Sequence, residues 1–176
     1  MHESADEHKS SNKPTSGPVI CLAVLTVSDT RTKETDKSGR RILELAGKAG
    51  IEAAEYTLCT DDAEAIHSII AGWLLKPGID AIVTTGGTGI AQRDVTLEAA
   101  RPLFEKEIDG FGELFRYLSF AEDIGTKAVL SRAAAGTARE KAIFVLPGST
   151  GAVTLAMNRI ILPEIRHILH ELTKHR

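Results

Sequence analysis

Apolar residues along the chain follow two rhythms. Four runs are continuously apolar and rich in β-branched side chains: residues 19–27 (VICLAVLTV), 53–59, 79–85 (IDAIVTT) and 142–146. Unbroken runs of this kind predict strands buried on both faces of a parallel sheet. Between them the spacing lengthens to that of a helix. Ile42, Leu45, Ala46 and Ala49 stand at i, i+3, i+4 and i+7, and Gly50 supplies a stop. Ile66, Ile69, Ile70 and Trp73 repeat that spacing behind Asp61 or Asp62 as N-cap, and Lys76-Pro77-Gly78 ends the helix. Phe111, Leu114, Phe115 and Leu118 mark a third stripe. A last helix is expected over about residues 151–172, bent or broken by Pro163.

The order is β-α-β-α-β, then an insertion of helices with a short hairpin, then β-α. It predicts an α/β fold, a three-layer α/β/α sandwich on a mostly parallel sheet. Hydrophobic residues make up 43% of the chain, enough for a core, and aromatics only 5%, so the core must be aliphatic. A net charge of −3 offers no broad basic surface for nucleic acid. An anionic ligand therefore needs a local site of backbone N–H groups, a metal ion or a few basic side chains. No run approaches the ~18–20 apolar residues of a membrane span. Residues 1–17 are polar and lack the apolar stretch of a signal peptide. They are expected to form a disordered leader to one domain over 18–176, in the cytoplasm. Cys21 and Cys59 lie in apolar runs without CxxC spacing and are expected to be buried small hydrophobes.

In open α/β sheets ligands bind beyond the carboxyl ends of the strands. The four strands lead into Ser28-Asp29-Thr30-Arg31, Thr60-Asp61-Asp62, Gly86-Gly87-Thr88-Gly89-Ile90-Ala91-Gln92-Arg93-Asp94, and Pro147-Gly148-Ser149-Thr150-Gly151. All four are chemically loaded. The glycines of the third loop let backbone approach a ligand, and successive N–H groups can cradle an anion. This is neither a Walker A loop, since no Lys-Ser/Thr follows, nor a dinucleotide fingerprint, since the glycine spacing differs. The fourth loop opens the last helix, whose amides can hold an oxyanion. Asp61 and Asp94 are expected at the ends of neighbouring strands. Two carboxylates beside a phosphate site repel it unless Mg²⁺ sits between them, the arrangement nucleotidyl transfer requires. One of Asp61 and Asp62 is expected to serve only as a helix cap. His167 and His170, close to Lys174, His175 and Arg176, read as a solvated helix end, and His67 as surface. No Ser/His/Asp or Cys/His nucleophile set emerges.

Thr84-Thr85-Gly86-Gly87-Thr88-Gly89, followed by Arg93-Asp94-Val95-Thr96, closely resembles the signature of the MoaB/MogA molybdopterin-binding family. Thr26-Val27-Ser28-Asp29-Thr30-Arg31, Gly110-Phe111-Gly112-Glu113-Leu114-Phe115-Arg116, Leu130-Ser131-Arg132-Ala133, Leu146-Pro147-Gly148-Ser149 and Ile161-Leu162-Pro163-Glu164 extend the resemblance over residues 19–172. It implies molybdenum cofactor biosynthesis by Mg²⁺- and ATP-dependent adenylylation of molybdopterin, with release of pyrophosphate. It also implies a homotrimer or hexamer, a product passed on to a molybdenum-insertion protein, and small-molecule substrates in place of nucleic acid or membrane. On this resemblance Asp61 and Asp94 are the catalytic and Mg²⁺-binding carboxylates. Gly86, Gly87, Thr88 and Gly89 line the nucleotide phosphates, with Ser28 and Asp29 at the edge of the cleft. Pro147, Gly148 and Ser149 help hold molybdopterin, and Glu113, Ser131 and Arg132 form the rim.

The chain departs from the family pattern in three places: Cys59-Thr60 precedes the aspartates where Val-Pro is usual, Thr150 replaces a proline, and Leu97 stands where proline is common. None removes a chemical group. Two alternatives stay open, a non-catalytic molybdopterin-binding or scaffold protein and a nucleotide pyrophosphatase.

Overall fold

The computed structural model describes residues 17–176, so the expected leader, Gly17 apart, lies outside the described residues. The elements in chain order are β1 (Cys21–Val27), α1 (Lys37–Lys48), β2 (Glu52–Cys59), α2 (Ala63–Leu74), β3 (Ala81–Thr85) and α3 (Thr96–Ala100). They continue with β4 (Lys106–Glu107), α4 (Asp109–Ser119), β5 (Ala134–Ala138), β6 (Lys141–Leu146), α5 (Thr150–Ala156) and α6 (Leu162–Thr173). One six-stranded sheet runs β2-β1-β3-β6-β5-β4. Its first four strands are parallel, β5 runs antiparallel to β6, and β4 runs antiparallel to β5.

Strand pleating explains the layers. Along β1 successive side chains alternate between faces. Leu22 and Val24 join Ile42 and Leu45 of α1, Phe111 and Phe115 of α4, and Val153 of α5 on one side. Ala23, Leu25 and Val27 join Ile66, Ile70 and Trp73 of α2 and Leu97 of α3 on the other. The expected α/β/α sandwich is what forms. Among the described residues no helix is long and apolar enough to cross a membrane.

Four local expectations need correction. Residues 53–59 were expected to be buried on both faces, but β2 is an edge strand, exposed at its start and only half-buried thereafter. Consequently β2 and β3 are not neighbours, since β1 lies between them, so Asp61 and Asp94 follow strands that flank a third. Cys21 and Cys59 are free thiols and half-buried, Cys21 opening β1 and Cys59 closing the edge strand. His67 is half-buried rather than free on the surface, its Nδ1 lying 3.0 Å from the carbonyl of Ala99.

The hairpin is β5–β6, turned by Arg139 and Glu140 at φ of 49° and 60°. A two-residue turn with both φ positive matches the twist of the paired strands but normally carries Asn or Gly. The last helix is continuous in direction but interrupted by a π-turn over Met157–Ile161. Pro163 then sits in the first turn of α6, where a missing N–H costs little. The looser π-turn absorbs the ring that would otherwise break the helix.

Candidate functional site

The carboxyl ends of β1, β2, β3 and β6 open into one cleft of about 490 Å³. Asp61 and Asp94 both line it, as do Ser28, Asp29, Gly86, Gly87, Thr88, Gly89, Pro147, Gly148 and Ser149. Ser131 reaches it from the opposite wall.

Gly86 and Gly87 form the floor with φ of 97° and 68°. A Cβ on Gly86 would collide with the carbonyl of Val27, so only glycine fits here. The turn is fastened from below. Thr96 donates its hydroxyl to the carbonyl of Gly86 at 2.8 Å and its N–H to that of Gly87 at 3.0 Å. Thr85 donates to the carbonyl of Pro147 at 2.9 Å, tying the third loop to the fourth.

The two neighbouring aspartates divide their work. Asp62 caps α2, accepting from the N–H of Ala65 at 2.7 Å. Asp61 is thereby left for the cleft, and its N–H donates to Oδ1 of Asp29 at 3.0 Å. Burial pushes the carboxyl of Asp61 up from its ordinary range; the negative charge of Asp29 adds to the rise, Arg93 opposes it, and Asp94 contributes again. The thiol of Cys59 beneath is pushed up to about 11, by burial first and then by Asp61 and Asp62. Asp94 closes its own loop, its Oδ2 accepting from the N–H of Ala91 at 3.0 Å.

Ser28 and Ser149 shape backbone as well as facing the cleft. Ser28 Oγ accepts from the N–H groups of Thr30 and Arg31 at 3.2 and 3.1 Å. Ser149 caps α5 by accepting from the N–H of Ala152 at 3.1 Å, which leaves its hydroxyl proton free for a ligand.

Two expected rim residues lie elsewhere. Glu113 and Arg132 border an adjacent hollow of about 440 Å³, which meets the cleft only at Ser131. Glu113 is two residues from Phe115, and positions i and i+2 of a helix face different ways. The face of α4 that meets the cleft carries Phe115 and Ser119.

Several residues of the site were not foreseen. The segment after α4 is a π-turn, Phe120–Ile124, followed by a 3-10 turn, Gly125–Leu130. It supplies Asp123, Ile124, Lys127 and Leu130 to the outer wall. Its alternation of exposed Phe120, Ile124, Val129 and Leu130 with charges has neither helical nor strand period. Beneath the floor lies a fully buried carboxylate, Asp36. It accepts from Thr26 Oγ1 at 2.6 Å, from the Tyr56 hydroxyl at 2.5 Å and from the N–H of Gly39 at 3.1 Å. Arg31 lies 3.7 Å from it and donates to Ser38 and to the carbonyl of Gly148, at 2.6 and 3.0 Å. The signal for Asp36 was its place as N-cap of α1, a polar residue just ahead of an apolar stripe.

Among the described residues, no group of three or more His, Cys, Asp or Glu side chains gathers closely enough to hold a metal ion by itself. Mg²⁺ is ordinarily held by one or two carboxylates together with substrate phosphates. The donor set of Asp61 and Asp94 fits an ion that arrives with a nucleotide. The exposed His167 pairs with Glu164 at 3.1 Å, as a solvated helix end should.

A family model described as a probable molybdopterin binding domain matches residues 23–167. Molybdenum cofactor biosynthesis protein B of Staphylococcus carnosus is 60% identical over 157 residues, covering 88% of this chain and 92% of the relative. A crystal structure of a molybdenum cofactor biosynthesis protein B superposes with a TM-score of 0.87 at 50% identity, over 89% of this chain and 98% of the other. The tungsten cofactor synthesizing protein MoaB from Pyrococcus furiosus gives a TM-score of 0.78 at 40% identity, over 89% and 99%.

Proposed function

Since the chain belongs to the MoaB/MogA family of molybdopterin-binding domains and its role lies in molybdenum cofactor biosynthesis, we propose that it adenylylates molybdopterin at the expense of ATP. The observation that carries this reading is that Asp61 and Asp94, from separate strand ends, face one cleft floored by Gly86 and Gly87.

In the proposed reaction a terminal phosphate oxygen of molybdopterin attacks the α-phosphorus of ATP. The bond to the bridging oxygen breaks, and its electron pair leaves with pyrophosphate. The nucleophile belongs to one substrate and the leaving group to the other, so the protein has chiefly to position and to neutralise. Mg²⁺, held by Asp61 and Asp94, would offset charge on the phosphate oxygens. The amides of the glycine loop hold the nucleotide phosphates. Pro147, Gly148 and Ser149 hold molybdopterin across the cleft, and Arg93 and Lys127 add positive charge to the walls. Alignment of two bound reactants can supply about 7–11 kcal/mol of a barrier.

The reading also takes the protein to be cytoplasmic and a homotrimer or hexamer that passes its product to a molybdenum-insertion protein. Exposed Leu114, Tyr117, Phe120 and Val129 provide an apolar face for self-association, which sedimentation equilibrium would measure.

The deciding assay combines purified protein, Mg²⁺, ATP and molybdopterin, with adenylylated product detected by mass. Product that disappears in Asp94→Asn supports the reading. Tight molybdopterin binding without product would make the protein a binding or scaffold member instead, and ATP breakdown without molybdopterin would make it a hydrolase.

A further inference from the structure

Arg132 lies outside the cleft, between the 3-10 turn Gly125–Leu130 and β5. All three nitrogens of its guanidinium donate to protein acceptors. Nε bonds the carbonyls of Thr88 and Gly89 at 3.1 and 2.9 Å, and Nη2 bonds the carbonyl of Asp94 at 3.2 Å. Nη1 and Nη2 bond the carboxylate of Glu98 at 2.5 and 3.3 Å. The fork thus grips both ends of the loop that carries Asp94, and Glu98 of α3 anchors the fork.

Peptide planarity gives this grip a direction. Across a trans peptide the C=O of one residue and the N–H of the next point to opposite sides. Holding the carbonyls of Thr88 and Gly89 toward Arg132 therefore turns the N–H groups of Gly89 and Ile90 away from it. Gly89 lines the cleft while Arg132 does not, so the Gly89 amide is turned to the cleft side, whereas Ile90 borders a separate hollow that Arg132 also borders. Among the described residues neither amide donates to a backbone acceptor outside regular elements. The Gly89 amide held in this way is an anion donor whose orientation is set before the anion arrives.

We propose that Arg132 is a positioning residue, which touches no substrate but holds the Gly89 amide and the Asp94 turn in the geometry that receives phosphate oxygens. The proposal rests on the adenylylation reading for the identity of the phosphates, though not for the clamp itself. The partnership with Glu98 is consistent with it. The hydrogen bond from Arg132 is the largest cause holding the carboxyl of Glu98 below the usual carboxylate range, and Arg132 is raised in return by the same bond.

Arg132→Lys in the full chain is the test, because lysine keeps the charge but cannot make a planar fork. Amide hydrogen exchange over residues 88–95 should quicken, with the amides of β1 and β3 unchanged. Affinity for Mg·ATP, measured by calorimetry, should fall about tenfold, the equivalent of one charge-assisted hydrogen bond. In Arg132→Ala, millimolar guanidinium should restore part of that affinity. Weakened binding with parental exchange would overturn the proposal by making Arg132 a direct contact. Faster exchange with parental affinity would overturn it too, leaving Arg132 a scaffold only. Absence of adenylylated product from the parent would end the adenylylation reading alone. The clamp would then stand or fall on the same exchange and on the affinity for inorganic pyrophosphate, and a parent that bound neither ATP nor pyrophosphate would overturn both.

Discussion

The hydroxyl of Tyr56, on the edge strand β2, donates to Oδ2 of Asp36 at 2.5 Å, joining that strand to a carboxylate with no exposed surface. Burial raises the phenol above its ordinary value of 10.0, and the hydrogen bond to Asp36 and the charge of Asp36 raise it further. A raised folded value means that the contribution to stability is complete below pH 10 and is lost as the unfolded chain begins to ionise above it. The protein should therefore lose thermal stability above about pH 10. Tyr56→Phe should cost about 1.5–3 kcal/mol at neutral pH, as a hydrogen bond to a charged group. Its deficit should shrink at alkaline pH. A deficit equally large at pH 7 and pH 11 by thermal melts would contradict this.

The adjacent aspartates should separate cleanly. Asp61→Asn should abolish turnover and leave the melting temperature at or above that of the parent, since burial already disfavours the ionised group. Asp62→Ala should do the reverse, costing about 1 kcal/mol of stability through the lost helix cap and keeping most activity. Melting curves and product yield on the two variants check both halves.

Gly86→Ala forces a methyl group against the carbonyl of Val27 at a φ of 97°. A destabilisation of about 1–3 kcal/mol is expected from the backbone strain alone. ATP affinity should fall further than stability suggests, because the floor must shift. Gly47→Ala, in α1 with no atom near its added Cβ, is the control and should be neutral or stabilising.

Lys127 lines the outer wall and makes no ion pair among the described residues. Lys127→Ala should raise KM several-fold with little change in kcat, because the charge attracts the substrate without joining the reacting atoms. The effect should weaken as salt is raised from low to physiological ionic strength. Steady-state kinetics at two salt concentrations would show it.

How much of this was legible depends on what each residue contributes. β1, β3 and β6 announced themselves because strands buried on both faces must be apolar throughout. β5 did not: Ala134-Ala135-Gly136-Thr137-Ala138 has little side chain to signal a strand, and Gly136 is required by Phe104, whose ring occupies the place of a Cβ. The turn at Arg139 and Glu140 likewise lacks the residues that mark a hairpin. The loops at the strand ends were readable as one site because the fold brings strand ends together. The resemblance drew attention to Arg132 as a rim residue, yet its hydrogen bonds all go to protein. That distinction depends on where a guanidinium points, which residue spacing does not encode. Asp36 and Lys127 were missed for related reasons, one hidden by a capping role and the other in a segment without period.

The cleft is assembled from two kinds of chain. Its floor and acid pair come from loops hung on four separate strands, so altering that half disturbs the sheet itself. The facing wall comes mainly from a single uninterrupted stretch, residues 115–131. Such a wall is a cassette. It can drift in sequence, or be exchanged whole between relatives, and so change what is admitted while the acid pair beneath stays as it is.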